Sequence, residues 1–223
     1  MAKSVVAFSL EEFDPSYTRV IIDDVSFYDS VITDLGTLEV ITGYADFRES
    51  KVTDLGNLTT IGRYVSFGKS QIKDLGNLQK IGGLADFRNS QVTNLGNLTT
   101  IGGNAYFRNS EVTDLGNLTT IVGYADFELS QVTDLGNLTT IESDAYFSRS
   151  KITDLGNLTT ILGNADFSNS EVENLENLTT IGGYADFEGS KIKDLGNLTK
   201  IGGTIIFGDR TDLEAEWEKR KNK

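Results

Sequence analysis

Ile101-Gly-Gly-Asn-Ala-Tyr-Phe-Arg-Asn-Ser-Glu-Val-Thr-Asp-Leu-Gly-Asn-Leu-Thr-Thr120 is one copy of a 20-residue unit that runs nine times, almost unchanged, from residue 21 to residue 200. A fixed period of this length marks a solenoid, because one coil cannot bury its apolar face alone and must stack on its neighbours. No linker interrupts the repeat, so the 223 residues read as one elongated unit and not as two globular ones.

Within the coil the apolar positions are Ile101, Ala105, Phe107, Val112, Leu115 and Leu118. Only Ala-x-Phe alternates with the period of a strand, which predicts one short strand per coil. Gly102 and Gly103 precede it, where the chain turns sharply or takes positive φ, and Gly116 marks another corner. Stacked coils place equivalent side chains about 4.8 Å apart. The ten phenylalanines from Phe27 to Phe207 therefore form an internal ladder, with small alanines beside it leaving room. Ten coils make a rod of about 48 Å.

Three polar columns accompany the apolar ones. Serine recurs from Ser30 to Ser190 and asparagine from Asn57 to Asn197, as inward or corner groups expected to satisfy backbone amides and carbonyls that turns leave unpaired. Aspartate recurs at Asp34, Asp54, Asp74, Asp114, Asp134, Asp154 and Asp194, with Asn94 and Asn174 in the remaining coils. Asp and Asn both accept a hydrogen bond from the backbone two residues on, so their interchange predicts an Asx turn.

Composition narrows the chemistry. The chain has neither histidine nor cysteine, which removes disulfides, thiolate metal sites and the base that a nucleophilic serine needs. Hard cations want several converging oxygens, and no cofactor or metal is expected. The net charge is −13, and the segment after Arg210 carries four acidic and four basic residues, so the excess lies on the coils. Such a surface repels nucleic acid and anionic membranes and favours a basic protein partner. The start of the chain does not read as a secretory signal, and no apolar run reaches membrane-spanning length, which gives a cytoplasmic expectation. Seven Asn-Leu-Thr sequons read as a by-product of the repeat.

Exposed apolar ends would make a stack aggregate, so caps are expected at both. Residues 1–20 are read as an N-terminal cap, with a helical capping box at Ser9–Glu12 and with Leu10 and Phe13 over the first coil. Residues 21–210 are the solenoid. Residues 211–223 are a capping helix and basic tail, opened by the box Thr211–Glu214, with Leu213 and Trp217 on one face.

These residues resemble the leucine-rich repeat. Ala105, Phe107, Ser110 and Val112 fall on the second Leu, third Leu, Asn and final Leu of its core pattern, with Gly102 where the first Leu stands. The run Leu98 to Leu118 is closer to the receptor L-domain variant, and the length is similar to that of 20-residue bacterial leucine-rich repeats. The resemblance implies an all-β, right-handed parallel coil stack and, by analogy, protein recognition. The extracellular ligands of receptor L domains do not carry over.

Residues that vary between coils are free to encode a partner. They stand in three outward columns: Tyr44, Tyr64, Leu84, Asn104, Tyr124, Asp144, Asn164 and Tyr184; then Asp46, Ser66, Asp86, Tyr106, Asp126, Tyr146, Asp166 and Asp186; then Arg48, Gly68, Arg88, Arg108, Glu128, Ser148, Ser168 and Glu188. Tyrosine offers a large rigid contact and aspartate offers charge steering, so the tyrosines of the first two columns with Asp46, Asp86, Asp126, Asp166 and Asp186 are the expected partner-binding residues. The function expected is a non-catalytic protein-interaction solenoid. The alternative is an acidic mimic of nucleic acid that inhibits a nucleic-acid-binding enzyme. A glycosidase built on paired carboxylates is disfavoured, because the aspartate columns repeat and no coil stands apart.

Overall fold

The computed structural model describes residues 5–7, 13–16, 18–21 and 23–221, and in it the repeat is a parallel β-solenoid. Each coil supplies two short strands, such as Thr100–Ile101 and Ala105–Tyr106, one on either side of the glycine pair. Each strand pairs in parallel with its equivalents in the coils before and after, Thr100 with Lys80 and Thr120, Ala105 with Ala85 and Ala125. Two sheets result, one of 11 strands ending at Lys200–Ile201 and one of 10 strands ending at Ile205–Ile206. The expectation of one strand per coil is thereby corrected. Thr-Ile is too short to show alternation, yet its backbone ladders between coils as Ala-x does.

Because the spacing never departs from 20 residues, each column is straight. Ile101, Ala105, Phe107, Val112 and Leu118 have no exposed surface, nor do their equivalents in the central coils. The rings from Phe27 to Phe207 stack nearly parallel, with centroids 4.8 to 5.9 Å apart and interplanar angles of 4 to 19°. That spacing starts at the interstrand distance of about 4.8 Å and exceeds it by about 1 Å at most, so the sheet repeat sets the ladder.

The aspartate column forms the expected turns. In eight coils the Asp or Asn94 Oδ1 accepts the amide of the glycine two residues on at 2.6 to 2.8 Å, and Gly116, the corner after Asp114, sits at φ 56°. Gly102 and Gly103 correct a second expectation. Neither has positive φ; a Cβ on Gly102 would instead collide with the Gly82 carbonyl oxygen, and one on Gly103 would lie 2.8 Å from the Gly83 carbonyl carbon. Close approach of coils, and not backbone conformation, favours glycine there. The serine column is inward and buried from Ser50 to Ser190; the Ser30 and Ser150 hydroxyls accept the amide two residues on at 3.1 and 3.4 Å, as expected, but those of Ser50, Ser70, Ser90, Ser110, Ser130 and Ser170 find no hydrogen-bond partner. The asparagine column does serve the backbone: Asn77, Asn97, Asn137, Asn157 and Asn177 donate to a glycine carbonyl of the preceding coil at 2.9 to 3.0 Å.

One coil breaks the corner rule. Glu176 holds the glycine position at φ 40°, and the buried Asn174 Oδ1 lacks the bond its equivalents make. A side chain in the left-handed region costs about 1–2 kcal/mol. Glu176→Gly is therefore expected to raise stability by about 1 kcal/mol after glycine's own entropic cost, read as a higher midpoint in urea unfolding. An unchanged or lower midpoint would show that this corner carries no strain.

At the N-terminal end Val5–Ala7 pairs in parallel with Thr18–Ile21, adding a strand to the first sheet. Phe13 packs edge-on against Phe27 at 5.9 Å, as a cap should. The capping box Ser9–Glu12 and Leu10 lie outside the described residues. Among the described residues the single helix is Thr211–Lys221, with Leu213 and Trp217 buried against the last coil. Its N-terminus differs from the predicted box: the Arg210 carbonyl accepts the Glu214 amide at 3.2 Å, which places Thr211 inside the first turn.

Candidate functional site

The outward residues of the second sheet form a continuous strip, because strand alternation turns every second side chain away from the core. The middle column lies directly on the strands. Its members pair across coils, Asp86 beside Tyr106 and Asp126 beside Tyr146.

Structure divides this column where sequence treats it as uniform. Asp46 and Asp86 are almost fully buried, and each is bound by the arginine two residues on: Oδ1 accepts Nε at 2.9 Å, Oδ2 accepts Nη2 at 2.7 Å, and Oδ1 also takes the arginine's own amide at 3.0 Å. Burial pushes the Asp46 carboxyl up, but the hydrogen bonds and charge of Arg48 outweigh it and hold the group below its ordinary value. Arg88 also lies over the Tyr106 ring, 4.5 Å from its centroid, and Arg48 lies 5.8 Å from that of Tyr28. These two aspartates are consumed within the chain and are not free to steer a partner.

Asp126, Asp166 and Asp186 differ. Each accepts the amide two residues on, at 3.0, 2.8 and 2.9 Å, but the side chain there is Glu128, Ser168 or Glu188 and supplies no guanidinium. Burial dominates at Asp126 and pushes its carboxyl above the ordinary range. Glu128 turns aside to Arg108 at 2.8 Å and Arg149 at 3.5 Å.

The tyrosines do not stand singly either. Tyr106, Tyr124 and Tyr146 form an edge-to-face cluster, with centroids 5.2 and 6.1 Å apart, a hydroxyl contact between Tyr124 and Tyr106, and a 3.3 Å bond from the Tyr146 hydroxyl to Asp144. Burial, followed by the Tyr106 hydroxyl, raises the Tyr124 phenol well above its usual range. Tyr146 and Tyr184 shift the same way, through burial and then neighbouring carboxylates. Tyr64 and Tyr184 are half-buried, and Tyr44, at 37% exposure, is the most open tyrosine of the first two outward columns.

Two hollows interrupt the strip. One, of about 390 Å³, lies over the small residues Ser66 and Gly68 between the Asp46–Arg48 and Asp86–Arg88 pairs. The other, of about 410 Å³, is lined by Tyr124, Asp126, Glu128, Tyr146, Ser148 and Asp166. Sequence reading named most of these residues but gave no sign that they enclose a space. Among the described residues no three carboxylates converge on a point that could hold a metal ion, and no helix is long and apolar enough to cross a membrane. No protein-family model matches the chain, and no curated protein or solved structure is significantly similar to it.

Proposed function

We propose that this protein is a non-catalytic interaction solenoid that binds a protein with a basic surface through the Tyr/Asp strip of its second sheet. The observation that carries the reading is the contrast between scaffold and strip. Phe, Ala, Asp-turn and Asn columns repeat coil after coil, while the outward positions along the second sheet vary and hold a half-exposed tyrosine cluster. Aromatic anchors supply most of the energy at protein interfaces. The C-terminal half of the strip, with Asp126, Asp144, Asp166, Asp186 and Glu188, carries the acidity, whereas Asp46 and Asp86 are neutralised in place. The likeness of the coil to leucine-rich repeats of the receptor L-domain type points to protein recognition by analogy of fold.

The test compares two sets of substitutions in affinity capture from the native host, with mass spectrometry and a salt series. Changing Tyr44, Tyr64, Tyr124 and Tyr184 to Ala is expected to abolish capture with the fold intact. Changing Asp126, Asp166 and Asp186 to Asn keeps their turn bonds, and is expected to slow association and flatten its salt dependence. The reverse order, with free DNA or RNA competing, would identify a nucleic-acid mimic. Capture untouched by either set would reduce the strip to scaffold.

A further inference from the structure

The repeat contains its own control for the hollow at Tyr146. Asp86 and Tyr106 occupy the middle outward column of two adjacent coils, and between them sits a guanidinium, that of Arg88, held through two nitrogens by the carboxylate and lying 4.5 Å from the ring centroid. Forty residues on, Asp126 and Tyr146 stand in the same register on the same sheet. There the residue equivalent to Arg88 is Glu128, which turns away to Arg108 and Arg149, and the space is a hollow of about 410 Å³. We propose that this hollow is a socket for an arginine side chain of the partner protein, whose guanidinium takes against Asp126 and Tyr146 the place that Arg88 takes against Asp86 and Tyr106. This rests on the reading of the strip as a protein-binding surface.

Four features agree with it. Among the described residues the Asp126 carboxylate accepts only the Glu128 amide and makes no ion pair, so it keeps the acceptor capacity that the Asp86 carboxylate spends on Arg88. Its carboxyl is pushed up by burial, the state that an arriving cation relieves, whereas Asp46, which has its arginine, is held down. Glu128 and Asp166 add negative charge to the rim, and Ser148 keeps the third column low enough for a side chain to enter. The planar fork of arginine matches a carboxylate through two parallel bonds and stacks on a phenol ring, which the point charge of lysine does not.

The probe is the peptide acetyl-Gly-Arg-Gly-amide, titrated into the full chain while the ring signals of Tyr124 and Tyr146 are followed by NMR. Saturable shifts are expected, with the citrulline peptide, a neutral shape match, at least about tenfold weaker and the lysine peptide between them. Glu128→Arg rebuilds the Asp86–Arg88 arrangement in this coil and is expected to weaken the probe by at least about tenfold at an unchanged melting temperature. Should that variant melt early, Arg88→Gly supplies the second arm: Gly68 already stands in that column, and opening the space over Asp86 is expected to create a second site seen at the Tyr106 ring. Equal binding of arginine and citrulline, full binding by Glu128→Arg at unchanged stability, or no gain in Arg88→Gly would overturn the socket. Capture of the natural partner that survives Glu128→Arg but is lost in the tyrosine set would sink the socket alone and leave the interaction surface standing.

Discussion

Phe127→Ala is expected to destabilise the protein by about 3–5 kcal/mol, the cost of emptying a large buried aromatic site. The ring has no exposed surface and lies between Phe107 at 4.8 Å and Phe147 at 5.7 Å, so its loss removes two stacking contacts and leaves a gap that neighbouring coils cannot close. Relaxation is blocked because every coil is fixed by parallel ladders on both sides, Ala125 to Ala105 and Ala145 for example. In a stack where each repeat touches only its neighbours, the damage is local and divides the rod. Denaturant unfolding of the variant is therefore expected to lose cooperativity as well as midpoint. Phe207→Ala provides the scale: that ring is partly exposed and has one stacked neighbour, Phe187 at 5.9 Å, so its removal is expected to cost less than half as much. Equal losses at the two positions would mean that burial and stacking do not set the effect.

Most of the architecture could be read from the chain because the repeat averages out local ambiguity. A single Ala-x-Phe says little, but the same triplet in register across successive coils states which side chains point inward. The Asp/Asn interchange at Asn94 likewise disclosed a hydrogen-bond role, borne by the 2.7 Å bond to the Gly96 amide. What escaped reading has physical reasons too. A second left-handed corner runs through Asn109, Leu129 and Arg149 at φ 53 to 56°, and its varied residue types hide it. Leu and Arg have no preference for that region; the surrounding ladders impose it.

The candidate site was legible only as a list of outward residues. Arg48 stands two residues after Asp46, in the turn just past the strand Ala45–Asp46, and that spacing could have signalled the pairing that removes Asp46 from any steering role. The socket required a different comparison. Asp86, Arg88 and Tyr106 must be set against Asp126, Glu128 and Tyr146, across two coils, before the missing guanidinium becomes visible. Such a signal lies in how one repeat departs from another, and a reading that seeks the consensus passes over it.

Deletion of residues 211–223 is expected to unravel the C-terminal coils and drive the protein into assemblies. The helix does for the last complete coil what a further coil would do. Within the helix Arg220 donates to the carbonyls of Gly196 and Leu198 at 2.9 and 3.0 Å and Glu216 accepts the Leu195 amide at 3.2 Å, while Asp212 holds Arg210, just before the helix, which donates to the Ser190 carbonyl at 2.7 Å and reaches that of Ile192. In an interior coil the equivalents of the Ser190 and Gly196 carbonyls and of the Leu195 amide bond to the next coil, as the Gly36 carbonyl does with the Asn57 amide at 3.0 Å. Leu213 and Trp217 add apolar cover, worth about 1.5–3 kcal/mol each when fully buried. Without the helix the edge carbonyls hydrate, but the apolar floor cannot, and its relief is pairing with another edge. Amide exchange in residues 181–207 is expected to accelerate by orders of magnitude while that of the central coils holds, and size exclusion is expected to show concentration-dependent association. A truncated chain that stays monomeric with unchanged protection across those residues would show that the last coil is stable by itself and that the helix serves some other purpose.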